Sequence, residues 1–366
     1  MPTKRGRPTV NEILLSRSIL HATSVERFKG SITRDVTRLL NSEVIPALLQ
    51  QISNTRLTVR ARRRLNNLLL TTKGIVTAGF KDITSATTDL LKEFSVSEAV
   101  FQQRLLKQAM PIGFDFDLPS PAILRSIVTS QPMRGEILKD WFSKQSIAMQ
   151  SRIEQQIRIG LAAGETTQQI SQRFRGLASV FNADRRGTQA IVRTAVNHVT
   201  SQAKEEVYKE NTDVIKGVQW VSTLDNRTTV ICAGLDGEIF PVGEGQRPPA
   251  HFACRSTTVP VTKSFEEIGI QGLKEVPEGS RASQSERFTG QVPARQTYGE
   301  WLRTQTVDNQ NQVLGVRKAI LFRQGKVQID SFTDDRNRVL TLKQLQKSEG
   351  LTDKEIGIMK KLSGVS

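Results

Sequence analysis

The sequence predicts an α+β protein: a predominantly helical N-terminal half, a small antiparallel β-containing module, and a mixed α/β C-terminal extension. Three observations carry this. Leu, Ile, Val and Ala recur at helical spacing through most of the first 210 residues. After residue 214 the texture changes to short β-branched runs broken by Gly, Pro and Asp. Aromatic residues make up only 5% of the 366, so the expected core is aliphatic and helix-borne. The length fits two or three domains at ~100–200 residues each. The expected division is 1–110, 111–275 and 276–366.

Charge comes next, because it bounds the partners. The formal net charge is +16, which points to a polyanion and first of all to nucleic acid. Residues 1–75 hold 14 Lys/Arg against 4 Asp/Glu, so most of the excess sits in the first fifth of the chain. No apolar run reaches the ~18–20 residues of a membrane span, and the N-terminus lacks the apolar segment of a signal peptide. A reducing compartment is therefore expected, with Cys232 and Cys254 as thiols or ligands rather than a disulfide.

Taken in order, "RGRP" (5–8) resembles the core of an AT-hook, in which Gly lets two arginines lie along a narrow minor groove. A disordered basic arm is the competing reading. "ARRRL" (61–65) is the densest basic cluster, set against Leu at helical spacing. Arg5, Arg7, Arg60, Arg62, Arg63 and Arg64 are the candidate contacts to duplex DNA; the bland alternative is a solvated helix face. "MPIGFDFDLPSPA" (110–122) reads as an irregular connection. The next helix places Ile137, Leu138, Trp141, Ile147, Ile153, Ile157 and Ile159 on one stripe and ends at Gly164. Thr166 with Gln169 is a capping box opening the following helix. A further helix is expected from about Thr188 to Lys209, with Ala190, Ile191, Ala195, Val199, Ala203 and Val207 as its apolar side.

"VIKGVQWVSTLD", "TTVICAGLDGEIF" and "CRSTTVPVT" read as strands, with the Asp-Gly of "LDGE" (235–238) as a hairpin turn. Residues 242–250 are a loop, and 276–296 read as a long surface loop or linker. Then "TYGEWLRTQ" predicts a helix, "GKVQIDSFTD" a strand and "TLKQLQKSEG" a helix.

The chemistry concentrates in "PPAHFACRSTTVPV" (248–261). The chain has 3 His and 2 Cys, yet His251 and Cys254 stand three apart. Cys232, His251 and Cys254 with Asp225 make a candidate structural zinc set. The other readings are a packed β corner, with His251 bonded to a carboxylate such as Asp225, and a disulfide.

The order of scarce residues resembles the phage head-morphogenesis family, also called Mu F-like or minor head proteins. It runs Trp220, then Asp225-Asn226-Arg227-Thr228, Cys232, Asp236-Gly237, and Pro248-Pro249-Ala-His251-Phe-Ala-Cys254-Arg255-Ser. Arg193 in "VRTAVNHV" resembles the family's Arg-Thr-bearing helix. The resemblance spans about 145–265 and marks Arg193, Trp220, Asp225, Arg227, Asp236, Gly237, Pro249 and Arg255 as motif residues. Many members carry a further Cys where this chain has Thr229, so a cluster of cysteines alone is excluded. The resemblance implies a minor capsid component inside the capsid near the portal vertex, made in the host cytoplasm. Its implied partners are the portal oligomer, capsid or scaffold components and double-stranded DNA, with a role in procapsid assembly, DNA packaging or ejection.

Enzymatic motifs are missing: no Walker A loop, no Gly-x-Ser-x-Gly elbow, no zinc-deaminase signature. The expectation is therefore a non-enzyme. The alternative from a different class is a metal-dependent, nuclease-like hydrolase acting on DNA or a phage component. Asp225, Asp236 and His251 are a poor set for it.

Overall fold

The computed structural model describes residues 10–56, 62–110, 114–176, 178–268, 280–284, 289–293 and 295–363. Arg5, Arg7 and Arg60 lie outside the described residues. Helix α1 (Val10–Leu39) runs through a π-helical turn at Leu40–Val44 into α2 (Ile45–Asn54). Helix α3 (Arg62–Ala109) is 48 residues long, or ~72 Å at 1.5 Å per residue. Its buried stripe repeats every eleven residues: Val76, Thr87, Glu98 and Ala109 in one row, Phe80, Leu91 and Gln102 in another. That period is close to three turns of an undistorted helix, so the stripe holds one face along the whole rod.

Helices α4 (Pro121–Ser130), α5 (Leu138–Ala162), α6 (Thr167–Gly176) and α7 (Ala178–Glu210) follow. Ser120 caps α4. The Thr166–Gln169 capping box forms, with Gln169 N donating to Thr166 Oγ1 (3.2 Å) and Thr166 N donating to Gln169 Oε1 (2.7 Å). Gly164 sits just past the end of α5 with φ +76°, as a helix terminus requires. Leu138, Ile153 and Ile157 are buried as expected, but Ile147 and Ile159 are exposed. The buried face of α5 is narrower than its hydrophobic residues suggest. Helix α7 begins ten residues before the expected Thr188 and buries Ile191, Ala195, Val199, Ala203 and Val207.

Strand β1 (Ile215–Val221) lies at the centre of a three-stranded antiparallel sheet. It is flanked by β2 (Ile239–Pro241) and β3 (Thr257–Thr262). The stretch expected as a second strand is mostly helix α8 (Val230–Leu235), and only its end, Ile239-Phe240, lies in strand β2. Thr229 caps it, its hydroxyl accepting from Cys232 N. Asp236-Gly237 then turns the chain from α8 into β2, not from strand to strand. Gly237 needs its φ of +94°, and an added Cβ would lie 3.2 Å from the Thr297 methyl.

The expected linker at 276–296 contains a hairpin, β4 (Ser280–Gln284) with β5 (Thr289–Pro293). Beyond it lie α9 (Tyr298–Arg303), α10 (Val307–Leu314), α11 (Val316–Arg323), α12 (Leu342–Ser348) and α13 (Asp353–Ser363). "GKVQIDSFTD" forms a 3-10 turn at Asp330–Phe332 rather than a strand. There Phe332 joins a second core with Tyr298, Trp301, Leu314, Phe322 and Met359. The main core runs from α1 to β3 without a break. Asn11 Oδ1 on α1 even accepts from Thr262 N on β3 (3.0 Å).

Candidate functional site

The β module presents three metal-ligand atoms in one small volume. Cys232 comes from the first turn of α8, and His251 and Cys254 from the loop entering β3. Cys232 Sγ lies 3.2 Å from His251 Nε2 and 3.6 Å from Cys254 Sγ. All three ligand atoms lie within 4.8 Å of one another. Both cysteines are free, and each is buried.

The local fold explains why these residues meet. Trp220 on β1 is fully buried and packs against Cys232 and Cys254. Its indole Nε1 donates to Ser222 Oγ (2.9 Å), and that hydroxyl donates to the Cys232 carbonyl (2.6 Å). Ala253 adopts φ +55° between His251 and Cys254, and its N–H donates to Thr194 Oγ1 on α7 (2.8 Å). Asn197, one turn further along, donates to the Ser256 carbonyl (3.2 Å). Together these bonds pin the loop to α7. The Pro248–Pro249 peptide bond is cis.

Asp225 is not part of the cluster. Both its oxygens are taken by Arg255, through Nη1 to Oδ2 at 2.6 Å and Nη2 to Oδ1 at 2.7 Å. The expected Asp225–metal and Asp225–His251 contacts are therefore replaced by a bidentate Arg pair, whose planar fork matches the carboxylate. Burial pushes the Asp225 carboxyl up, but the Arg255 bonds and charge hold it below the ordinary carboxylate value. Arg227 is largely exposed and touches the same carboxylate at 3.4 Å.

His251 Nδ1 lies 2.9 Å from the Phe252 carbonyl. Burial lowers the His251 pKa, but Cys254 outweighs it and leaves the imidazole above its usual value. The hydrogen bond between the two sulfurs pulls the Cys254 pKa down to about 3 against its burial. Cys232 is driven upward by that same bond and by burial.

Arg193 Nη2 donates to Glu26 Oε2 (2.8 Å), tying α7 to α1. Asp236 pairs with Arg281 of β4. Arg62, Arg63 and Arg64 are exposed in the first turn of α3. The sequence reading missed Arg281, which it left in a linker. It also missed two buried lysines. Lys29 Nζ donates to Glu26 (2.5 Å) and Asn197 (3.3 Å). Lys204 Nζ donates to Thr257 Oγ1 (2.8 Å) and the Thr258 carbonyl (3.2 Å). Burial lowers both lysine pKa values, opposed by Glu26 and Glu98 respectively. A signal existed: each lysine occupies the buried register of its helix, Lys29 between Val25 and Ile32, Lys204 between Val196 and Val207.

No helix among the described residues is long and apolar enough to cross a membrane. Comparison with known families matches residues 151–259 to the model described as phage Mu protein F like protein. That stretch contains Cys232, His251, Cys254 and the Asp225–Arg255 pair, and it stops short of Arg281. No curated protein and no solved structure matches the chain.

Proposed function

We propose, from the match of residues 151–259 to the phage Mu protein F like family, that the protein is a head-morphogenesis protein and a minor capsid component. In this reading it is built into the particle at the portal vertex, contacts packaged double-stranded DNA, and acts in procapsid assembly, packaging or ejection. The observation that carries a structural rather than a catalytic role is the use made of the motif's charged residues. Asp225 is held by Arg255 and Asp236 by Arg281, so both acids brace the β module. A nuclease-like hydrolase would need such carboxylates free beside a metal. The net charge of +16 supports a protein enclosed with a polyanion. The helical half outside the matched stretch offers the surface for docking on an oligomer.

Quantitative mass spectrometry of purified particles and of procapsids tests this. A low, fixed copy number in both, with the portal protein co-purifying from procapsid lysates, is the expected result. Absence from both particle types overturns it.

A further inference from the structure

We propose that Cys232, Cys254 and His251 bind one zinc ion through Sγ, Sγ and Nε2, with water completing the tetrahedron. The distances carry the argument. Around a zinc with Zn–S of ~2.3 Å and Zn–N of ~2.0 Å, a tetrahedral S–S edge is about 3.8 Å and an S–N edge about 3.5 Å. The corresponding separations are 3.6 and 3.2 Å. Along these two edges, admitting the ion moves the ligand atoms by only a few tenths of an ångström, and the third edge lies within 4.8 Å. A disulfide would instead require the sulfurs to close to ~2.05 Å.

The surroundings favour the ion as well. A backbone carbonyl can only accept, so the 2.9 Å contact between His251 Nδ1 and the Phe252 carbonyl puts a hydrogen on Nδ1. Nε2 is thereby turned to the sulfurs, the arrangement in which a metal-ligating imidazole is usually held. Two thiolates and a neutral imidazole neutralise a doubly charged ion. Sulfur ligands select against magnesium and calcium, which take oxygen. Among the described residues no other His, Cys, Asp or Glu joins the cluster, and Asp225 is engaged by Arg255. The fourth ligand is therefore exchangeable, and the role we assign the ion is to join α8 to the loop that enters β3.

The test uses the full-length chain purified under reducing conditions, with the metal alone as probe. Elemental analysis should find one zinc per chain. Cobalt replacing zinc should give a thiolate-to-cobalt charge-transfer band together with the intense visible bands of four-coordinate cobalt. Cys254→Ser should reduce the charge-transfer intensity by about half, since one of two thiolates is gone. His251→Gln should keep the band and weaken zinc binding at least tenfold. The wild-type cobalt spectrum does not depend on any variant folding. No charge-transfer band in reduced wild type overturns the proposal, as does zinc retained at full stoichiometry in a Cys232→Ser/Cys254→Ser double variant.

Discussion

Asp236 and Arg281 face each other across 45 positions of sequence through two parallel hydrogen bonds. Arg281 Nη1 donates to Oδ2 and Nη2 to Oδ1, each at 3.0 Å. The same carboxylate accepts from Ser222 N (2.6 Å) and Tyr298 N (2.7 Å). Arg281 also donates to the Ser222 and Gln296 carbonyls. One buried acid thus gathers the end of β1, the end of α8, strand β4 and the start of α9.

Arg281→Ala should cost about 3–5 kcal/mol, because it leaves a buried carboxylate without its cation. Arg281→Lys should recover only part, since a point charge cannot replace the fork. Urea unfolding measures both. A loss below about 1 kcal/mol for the alanine variant would mean that water reaches the carboxylate.

Two glycines of α3 should respond in opposite directions. A Cβ on Gly79 would stand 2.2 Å from the Val44 Cγ2 methyl, at the π-helical turn that α3 crosses. Gly79→Ala should destabilise by about 1–3 kcal/mol through overpacking. Gly74 faces open space within the same helix, and Gly74→Ala should stabilise by about 0.5–1 kcal/mol. Thermal melting of the two variants side by side checks the sign of each.

His198 should make stability fall with acid. Burial lowers its pKa to about 4, and its Nε2 has no hydrogen-bond partner among the described residues. The surrounding side chains are Leu91, Val128, Gln131, Met133, Leu138, Ala195 and Val199, none of them titratable. Above pH 6.5 the ring is neutral folded and unfolded, so its full contribution is present. As pH falls from 6.5 towards 4 the unfolded chain binds a proton that the folded chain refuses, and about 3 kcal/mol is lost. Between pH 6.5 and 4.5 this loss precedes that from Glu98, whose pKa lies below its usual 4.5 despite burial because His21 and Lys204 favour the carboxylate. The wild-type melting profile minus that of His198→Gln isolates the effect. Parallel profiles would refute it.

DNA binding, if carried by the first turn of α3, should respond to charge there. Replacing Arg62, Arg63 and Arg64 together by Ala should reduce the slope of log K against log salt by about 2–3 on duplex DNA. An unchanged slope moves the contact elsewhere. Point substitutions are the right instrument, and deletion of residues 1–75 is not. Leu14, Ile32, Leu40 and Leu48 belong to the main core, so the deletion would remove part of it.

How much of this was legible in the sequence follows from the range of each interaction. The Thr166–Gln169 cap, the end of α5 at Gly164, strands β1 and β3, and the body of α7 all rest on neighbours within a few positions. The convergence of Cys232, His251 and Cys254 was also readable, because scarce residue types flanked a turn. Helix α8 was not readable: Val230 and Ile231 are β-branched, and a six-residue run has no periodicity to separate strand from helix. Its deciding feature is the Thr229 cap, one side-chain bond. Asp225 was misassigned for a different reason. A carboxylate beside potential ligands is an equally good partner for an arginine, and only the fold shows that Arg255 reaches it first. Arg281 lay in a polar stretch whose composition said linker, while its partner lay 45 residues earlier.

The Asn11–Thr262 bond spans 251 positions, and this sets a clock on biosynthesis. Helix α1 leaves the ribosome well before α7 and β3, which complete its cover. At ~5–20 residues per second the interval is roughly 10–50 s. Helix α3 covers part of α1 well within that time, through contacts such as Phe28–Phe94 and His21–Phe101, but Lys29 has neither Asn197 nor a closed pocket until α7 follows. Until α7 and β3 follow, this part of the nascent chain keeps an uncovered face beside basic residues, in a cell full of polyanions and other growing chains.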